Sequence, residues 1–380
     1  MMEPPNQPPV MVDQVKDLNN LAHLLENQPR VAVDTESNSL FAYAEQVCLI
    51  QFSIPGSDFM VDPIALPDLS PLGKLFADSK IEKIFHAAEY DLICLKRDFN
   101  FEFNNVFDTM QAARILGRTN VGLASMLESE FGVIIEKKFQ RANWGERPLS
   151  PAMLAYARLD SYYLIDLRDR LYAELVDKGL LALALEDFRR VTRVDAGSTE
   201  LEPPAWWRLP GSQSLTSQQC SILQALVEYR DQQARRADLP HFKILSNQTL
   251  LKIAEEMPLT WDALADIPEL SARQRDRHYT GLLAAVKHGM ITPPPPRPAN
   301  HRRPDAVLER LEILRDWRKE TAHKLEVESD VVLPREVLEE IAIKAPATSD
   351  ELRMLMKELP WRFEQYGNRI LAAIHQKEPS

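Results

Sequence analysis

Two stretches in the C-terminal half of the chain repeat each other at a fixed offset of 88 residues, without a gap. Tyr229-Arg230 aligns with Trp317-Arg318, Leu245 with Leu333, and Ile253-Ala254 with Ile341-Ala342. Pro258 aligns with Pro346, Asp262 with Asp350, and Ala284-Ala285 with Ala372-Ala373. Leu and Ala recur by chance; aromatic, proline and aspartate positions in one register do not. Two copies are too few for a solenoid, in which each repeat buries its apolar face on its neighbours. The repeat therefore predicts two tandem small helical domains. Pro293 to Pro296, then Arg297-Pro298, would separate them as an extended spacer. A second break, Ala196 to Gly211, carries Gly197, Ser198, Pro203, Pro204 and Pro210. The predicted partition is a first domain over 1–195, a linker over 196–212, helical domains over 213–290 and 304–378, and a Pro-rich linker over 291–303.

The first domain reads as strands followed by alternating strand and helix. Val31 to Asp34, Gln46 to Ile54 and Phe59 to Val61 are β-rich, with a Pro55-Gly56-Ser57 turn, and predict a three-stranded meander. Lys83 to Phe85 and Val106-Phe107 add two short strands, with helices predicted over Leu69 to Ala77, Glu89 to Lys96 and from Thr109. Pro151 to Asp177 reads as one long amphipathic helix with proline in its first turn. This order defines a mixed-sheet α/β domain.

Composition excludes several classes of function. The chain has 380 residues and a formal net charge of −11, too acidic to coat nucleic acid non-specifically. The charge is uneven: residues 1–200 carry −10, residues 201–303 carry +3 and residues 304–380 carry −4. No apolar run approaches the roughly 18 residues of a membrane span. Met1 to Val10 is proline-rich, with neither a basic nor an apolar signal segment, so a cytoplasmic protein is expected. Cys48, Cys94 and Cys220 are scattered, which fits neither a zinc ribbon nor a disulfide framework. No GxxxxGK[ST] loop is present, so a phosphate-cradling NTPase is excluded.

Carboxylates then stand out at the predicted sheet edge. Asp34 and Glu36, at i and i+2 on a strand, point to one face. Asp91 lies five residues after His86, in the first turn of a predicted helix. Tyr156 and Asp160, at i and i+4 on a helix, lie about 40° apart on one face. Each has an ordinary explanation alone: a solvated strand end, a helix-dipole aspartate, a core tyrosine with a surface acid. Together they supply the oxygen-rich set that two Mg²⁺ or Mn²⁺ ions need for in-line displacement at a phosphodiester. His86 reads as a strand-end structural residue. Asp108 reads as a helix cap or supporting carboxylate before Thr109.

The order and spacing of Asp34-x-Glu36, His86 to Asp91 and Tyr156-x-x-x-Asp160 resemble the three motifs of the DEDD 3′→5′ exonuclease superfamily, in its tyrosine-bearing branch. Leu49-Ile-Gln51 and Trp144-x-x-Arg147-Pro-Leu149 fit the same pattern. The two repeats resemble HRDC domains, and one such nuclease followed by two of them is the layout of the bacterial ribonuclease D family. The resemblance implies a ribonuclease H-like mixed sheet followed by two all-α HRDC-like domains. It implies that Asp34 bridges two divalent ions, that Glu36 and Asp160 hold the first and Asp91 the second, and that Tyr156 orients the attacking water. The implied reaction is 3′→5′ hydrolysis of RNA, with release of nucleoside 5′-monophosphates from 3′-extended tRNA precursors, by a monomer. A DNA exonuclease would use the same five residues, because the groove and not the chemistry senses the 2′-hydroxyl. A non-catalytic RNA scaffold is the other alternative, although none of the five positions is lost.

Basic residues give the expected strand contacts. Lys137, Lys138, Arg141 and Arg147 interleave with Phe139 and Trp144, a pattern that suits a single strand through phosphate contact and stacking. Arg230, Arg235 and Arg236 form a basic cluster in the first repeat, whereas the aligned part of the second is mostly acidic. The first repeat is therefore expected to grip RNA and the second to act mainly by packing. All five catalytic candidates precede residue 200, which predicts a self-contained nuclease.

Overall fold

A computed structural model describes residues 7–136, 138–195, 204–297 and 303–375. Much of both expected linkers, and Lys137, lie outside the described residues. The chain divides into two compact units. One holds residues 7–36, 47–195 and 303–375; the other holds residues 37–46 and 204–297.

Among the described residues, the first domain is built on a six-stranded mixed sheet. Its strands are β1 (Val10–Val12), β2 (Arg30–Ser37), β3 (Val47–Ile54), β4 (Ser57–Val61), β5 (Glu82–Phe85) and β6 (Val106–Asp108). The spatial order is β1-β4-β3-β2-β5-β6. β3 and β4 pair antiparallel, and β1–β4, β2–β5 and β5–β6 pair parallel. The helices are α1 (Val15–Glu26), α2 (Gly73–Ala77), α3 (Glu89–Phe99), α4 (Thr109–Ile115), α5 (Leu123–Phe131), α6 (Pro151–Tyr162), α7 (Leu164–Asp177) and α8 (Leu181–Val191). β1 and α1 lie outside the elements expected from sequence. The single helix expected over Pro151 to Asp177 is two, broken at the buried Tyr163 with no Gly or Pro to mark it.

β2 shows how the core sets the site. Val31 and Val33 join an apolar cluster with Leu18 and Leu21 of α1 and Leu92 and Leu95 of α3. Ala32 joins the opposite cluster, with Leu164, Leu167 and Leu171 of α7. Strand alternation then places Thr35 on the α3 side and Asp34 and Glu36 on the other. β3 is buried along its whole length, as expected for a central strand covered on both faces.

The two helical domains repeat each other helix by helix. In the first, the helices are α9 (Ser217–Ala237), α10 (His241–Ile244), α11 (Asn247–Glu256), α12 (Trp261–Ala265) and α13 (Ala272–Ile291). In the second they are α14 (Asp305–Leu325), α15 (Ser329–Val332), α16 (Arg335–Lys344), α17 (Ser349–Leu355) and α18 (Pro360–His375). Each helix of the second begins 88 residues after its counterpart. The left-handed caps repeat too: Asp238 with Glu326, and Met257 with Ala345.

The second repeat is packed into the same unit as the mixed sheet. Arg362 of α18 has no exposed side-chain surface and binds Glu186 and Asp187 of α8 at 2.9 and 2.8 Å. Val331 of α15 shares an apolar cluster with Phe107, Leu127 and Phe188. Arg114 of α4 binds Glu328 and, at 2.6 Å, Asp330. Among the described residues, no helix is long and apolar enough to cross a membrane.

Candidate active site

The carboxylates converge from both sides of β2. Asp34 and Glu36 face α6, which presents Asp160 one turn after Tyr156. Carboxylate oxygens of Asp34, Glu36 and Asp160 all lie within 4.8 Å of one another. Asp91, in the first turn of α3, comes from the other face. The Thr35 hydroxyl donates to its Oδ1. The middle residue of the Asp34-Thr-Glu36 motif thus ties the fourth carboxylate to the strand carrying the first two.

α6 is held in rotation by polar contacts. Ser150 caps it by accepting from the Met153 N–H, with Pro151 at its first position. Ser161 and Ser53 of β3 share a 2.8 Å hydrogen bond, and Arg158 donates to Asp58 of β4 at 2.7 Å. Gln51 lies between Leu49 and Ser53 on the same face of β3. It is fully buried, and neither amide atom finds a hydrogen-bond partner among the described residues.

The electrostatics show a set of charges in need of a cation. Burial, then repulsion from Asp160 and Asp91, pushes Glu36 up to about 9. Asp34 is raised well above the ordinary carboxylate range by burial, then by Asp91, Asp160 and Glu36. Burial, then Asp91, raises Asp160. Burial also raises Asp91, against hydrogen bonding from Thr35. Like charges gathered this closely stay ionised together only with positive charge between them. Oxygen donors alone suit Mg²⁺ or Mn²⁺ better than softer metals. The residues present therefore fit a divalent-metal centre.

Tyr156 stands beside this set with its hydroxyl held neutral. Burial and the charges of Asp160, Glu36 and Asp34 all raise its pKa. Its ring is fixed by Phe139, edge-on at 5.7 Å between centroids, and by Trp144 at 6.3 Å. That contact corrects the expectation for Trp144. It is 2% exposed and packs behind Tyr156, so it offers no stacking face to a base. Arg147 is likewise a clamp. It grips Asp62 through two bonds of 2.6 and 2.8 Å and donates to the carbonyls of Cys48 and Trp144, both at 2.7 Å. Lys138 and Arg141 are exposed, as a phosphate contact requires.

Around the rim, Asp108 caps α4 through the N–H groups of Met110 and Gln111. It also accepts from Ala87 and Ala88 at 3.1 and 2.9 Å, and so shapes the turn leading to Asp91. His86 shares a 2.9 Å hydrogen bond with Thr109, and burial pushes it down to about 4, which leaves it neutral. In the first repeat, Arg230 is 7% exposed and donates to the Leu245 carbonyl and to Asn247, so it holds the domain together rather than lying open to a backbone. Arg235 and Arg236 are exposed.

Residues 9–176 match the family model described as 3′-5′ exonuclease, and residues 219–286 and 307–374 each match the HRDC domain. Fold and site thus define a 3′-5′ exonuclease domain joined to two HRDC domains. The chain is 28% identical over 372 residues to ribonuclease D of Gluconacetobacter diazotrophicus, covering 96% of this chain and 92% of that protein. It is 33% identical over 317 residues to Protein RRP6-like 1 of Arabidopsis thaliana, covering 79% of this chain. The chain spans only half the length of that second relative. The crystal structure of Escherichia coli RNase D has the same fold, with a TM-score of 0.72 over 98% of this chain and all of that one, at 24% identity. The chain thus carries a 3′-5′ exonuclease domain and two HRDC domains, and is similar to a ribonuclease D over nearly its whole length.

Proposed function

We propose that this protein is a metal-dependent 3′→5′ exoribonuclease that releases nucleoside 5′-monophosphates and trims the 3′ extensions of tRNA precursors in the cytoplasm, as a monomer. The observation that carries the reading is the gathering of Asp34, Glu36 and Asp160 within 4.8 Å, with Asp91 tied to their strand through Thr35. Asp34, Glu36 and Asp160 would hold one divalent ion, and Asp34 with Asp91 a second. Bound Mg²⁺ or Mn²⁺ would supply Lewis-acid activation of water and charge neutralisation at the phosphodiester.

The chain's own residues then have distinct tasks. The neutral Tyr156 hydroxyl can both donate and accept a hydrogen bond, so it orients water without competing as an anionic ligand. Phe139 and Trp144 keep its ring from swinging away. Lys138 and Arg141 would meet the backbone of the incoming strand, as would Lys137. In the first repeat, Arg235 and Arg236 add positive charge for a structured RNA.

The test is incubation with 3′-tailed tRNA and with a matched single-stranded DNA, in Mg²⁺, Mn²⁺ or chelator, with products resolved by length. The tailed tRNA should shorten from its tail only with metal, and faster than the DNA. Preferential DNA trimming would favour the DNA exonuclease, and binding of the RNA without shortening would favour the scaffold.

A further inference from the structure

We propose that residues 37–46 and the first HRDC domain together form a pocket for one unstacked nucleotide of the RNA, other than the nucleotide being removed. This rests on the exoribonuclease reading. Residues 37–46 are closed at their base, where Ser37 donates to Glu45 at 2.7 Å and Asn38 accepts from the Gln46 N–H at 2.8 Å. The tip is fixed to the helical domain. Tyr43 donates its hydroxyl to Asp231 at 2.7 Å and its backbone N–H to Asp238 at 3.1 Å. The Arg235 guanidinium lies 5.3 Å from the Tyr43 ring centre, and the His241 ring meets it edge-on at 5.5 Å. Lys243 sits 4.1 Å from the ring centre of Phe41.

This docking leaves a cavity of about 480 Å³ lined by Tyr43, Glu45, Arg230, His241, Phe242 and Asn247, among others. Phe242 is 55% exposed, a large apolar ring held in water on a one-turn helix. Arg230 brings a buried cation to the wall. Its guanidinium turns inward to the Leu245 carbonyl and Asn247 and feels the charge of Asp231, and its buried Nε has no hydrogen-bond partner among the described residues. The wall thus combines aromatic faces, a fixed positive charge, and amide and carboxylate groups able to meet a base edge. That is the chemistry of base recognition: stacking and edge contacts on a splayed base.

The second repeat shows that the pocket is not a by-product of the HRDC fold. Arg318, the counterpart of Arg230, makes the equivalent bond to the Leu333 carbonyl at 3.0 Å. There, however, His241, Phe242 and Lys243 are replaced by Ser329, Asp330 and Val331. Val331 is buried in the nuclease core, and Asp330 binds Arg114. The same face packs on the mixed-sheet domain in one repeat and on residues 37–46, with Phe242 left exposed, in the other.

The test is fluorescence anisotropy of a labelled twelve-nucleotide single-stranded RNA, with Asp34→Asn in every protein to keep the RNA intact. Adding Phe242→Ala should weaken binding by roughly 5- to 150-fold, the range of a single base–aromatic stack. Phe242→Trp should restore it. In RNAs carrying 4-thiouridine at successive positions, one internal position should crosslink to the peptides containing Tyr43 or Phe242. Equal affinity of Phe242→Ala and its parent, with unchanged melting temperatures, would overturn the pocket while leaving the nuclease reading intact. Failure of the wild-type protein to hydrolyse RNA would strike that reading instead.

Discussion

Arg362 donates to Glu186 at 2.9 Å, with both side chains out of contact with water, and so joins α18 to the nuclease domain. The same guanidinium donates to the Val331 carbonyl at 2.9 Å, and the Trp361 N–H donates to Glu186. Burial raises Glu186 in spite of the pull from Arg362, so desolvation outweighs the attraction. Such a pair adds little net stability, but breaking it strands a buried charge.

Arg362→Leu is therefore expected to destabilise the protein by about 3–5 kcal/mol. Urea unfolding of the full chain measures this. A change below about 0.5 kcal/mol, the scale of ordinary surface substitutions, would show that the latch is idle. This contact also bears on the expectation of a self-contained nuclease: truncation after residue 200 would leave Glu186 buried without its partner and uncover the cluster around Phe107 and Phe188.

The proposed metal centre makes an opposite prediction for Asp34. In chelator, Asp34→Asn should raise the melting temperature, because it removes one of several repelling carboxylates. With Mn²⁺ the order should reverse, since only the wild type keeps the full ligand set. The pH dependence has a definite sign. Glu36 is raised to about 9, so the folded metal-free protein binds more protons than the unfolded chain between roughly pH 4.3 and 9. Metal-free stability should fall as pH rises through that window. Thermal melts in EDTA test this, and a flat profile would contradict it.

Tyr156→Phe keeps the ring against Phe139 and Trp144 but removes the hydroxyl. Metal binding by calorimetry should be nearly unchanged while kcat falls by about 10²–10⁴-fold, the usual worth of a positioned acid–base group. A variant as fast as wild type would make Tyr156 a packing residue only.

Arg147→Met should release the segment behind Tyr156 from Asp62. Burial raises the Asp62 pKa, but the hydrogen bonds and charge of Arg147 outweigh it and hold the acid below its ordinary value. That contribution is present above the unfolded pKa near 3.9 and is lost as pH falls through the depressed folded value. The variant should lose about 1.5–3 kcal/mol at neutral pH, as for hydrogen bonds to charged groups, and converge with wild type in acid. Urea unfolding at pH 7 and in acid measures both. An equal deficit at both would assign the effect to packing.

Much of the fold and site is legible in the residues themselves. Asp34, Glu36, Tyr156 and Asp160 announce themselves because i, i+2 and i, i+4 spacings are facts of strand and helix geometry. Thr35 is silent because its task depends on which element covers the opposite face of β2. Trp144 and Arg147 mislead because an alternation of cations and aromatics looks the same whether the rings face water or the core. Leu18, Leu21, Ala22 and Leu25 give α1 a helical period, whereas three-residue β1 is too short to signal itself. The acidity of the second repeat has a packing cause: Glu328 and Asp330 receive Arg114, a tertiary fact that no local pattern carries.

The most direct measurement of the central claim is product analysis of a 5′-labelled single-stranded RNA incubated with wild type and with Asp34→Asn, in Mn²⁺ and in EDTA. The carboxylate centre predicts stepwise shortening from the 3′ end and nucleoside 5′-monophosphates, in wild type with Mn²⁺ alone. Full activity in EDTA or in Asp34→Asn, internal cuts, or 3′-phosphate products would contradict it.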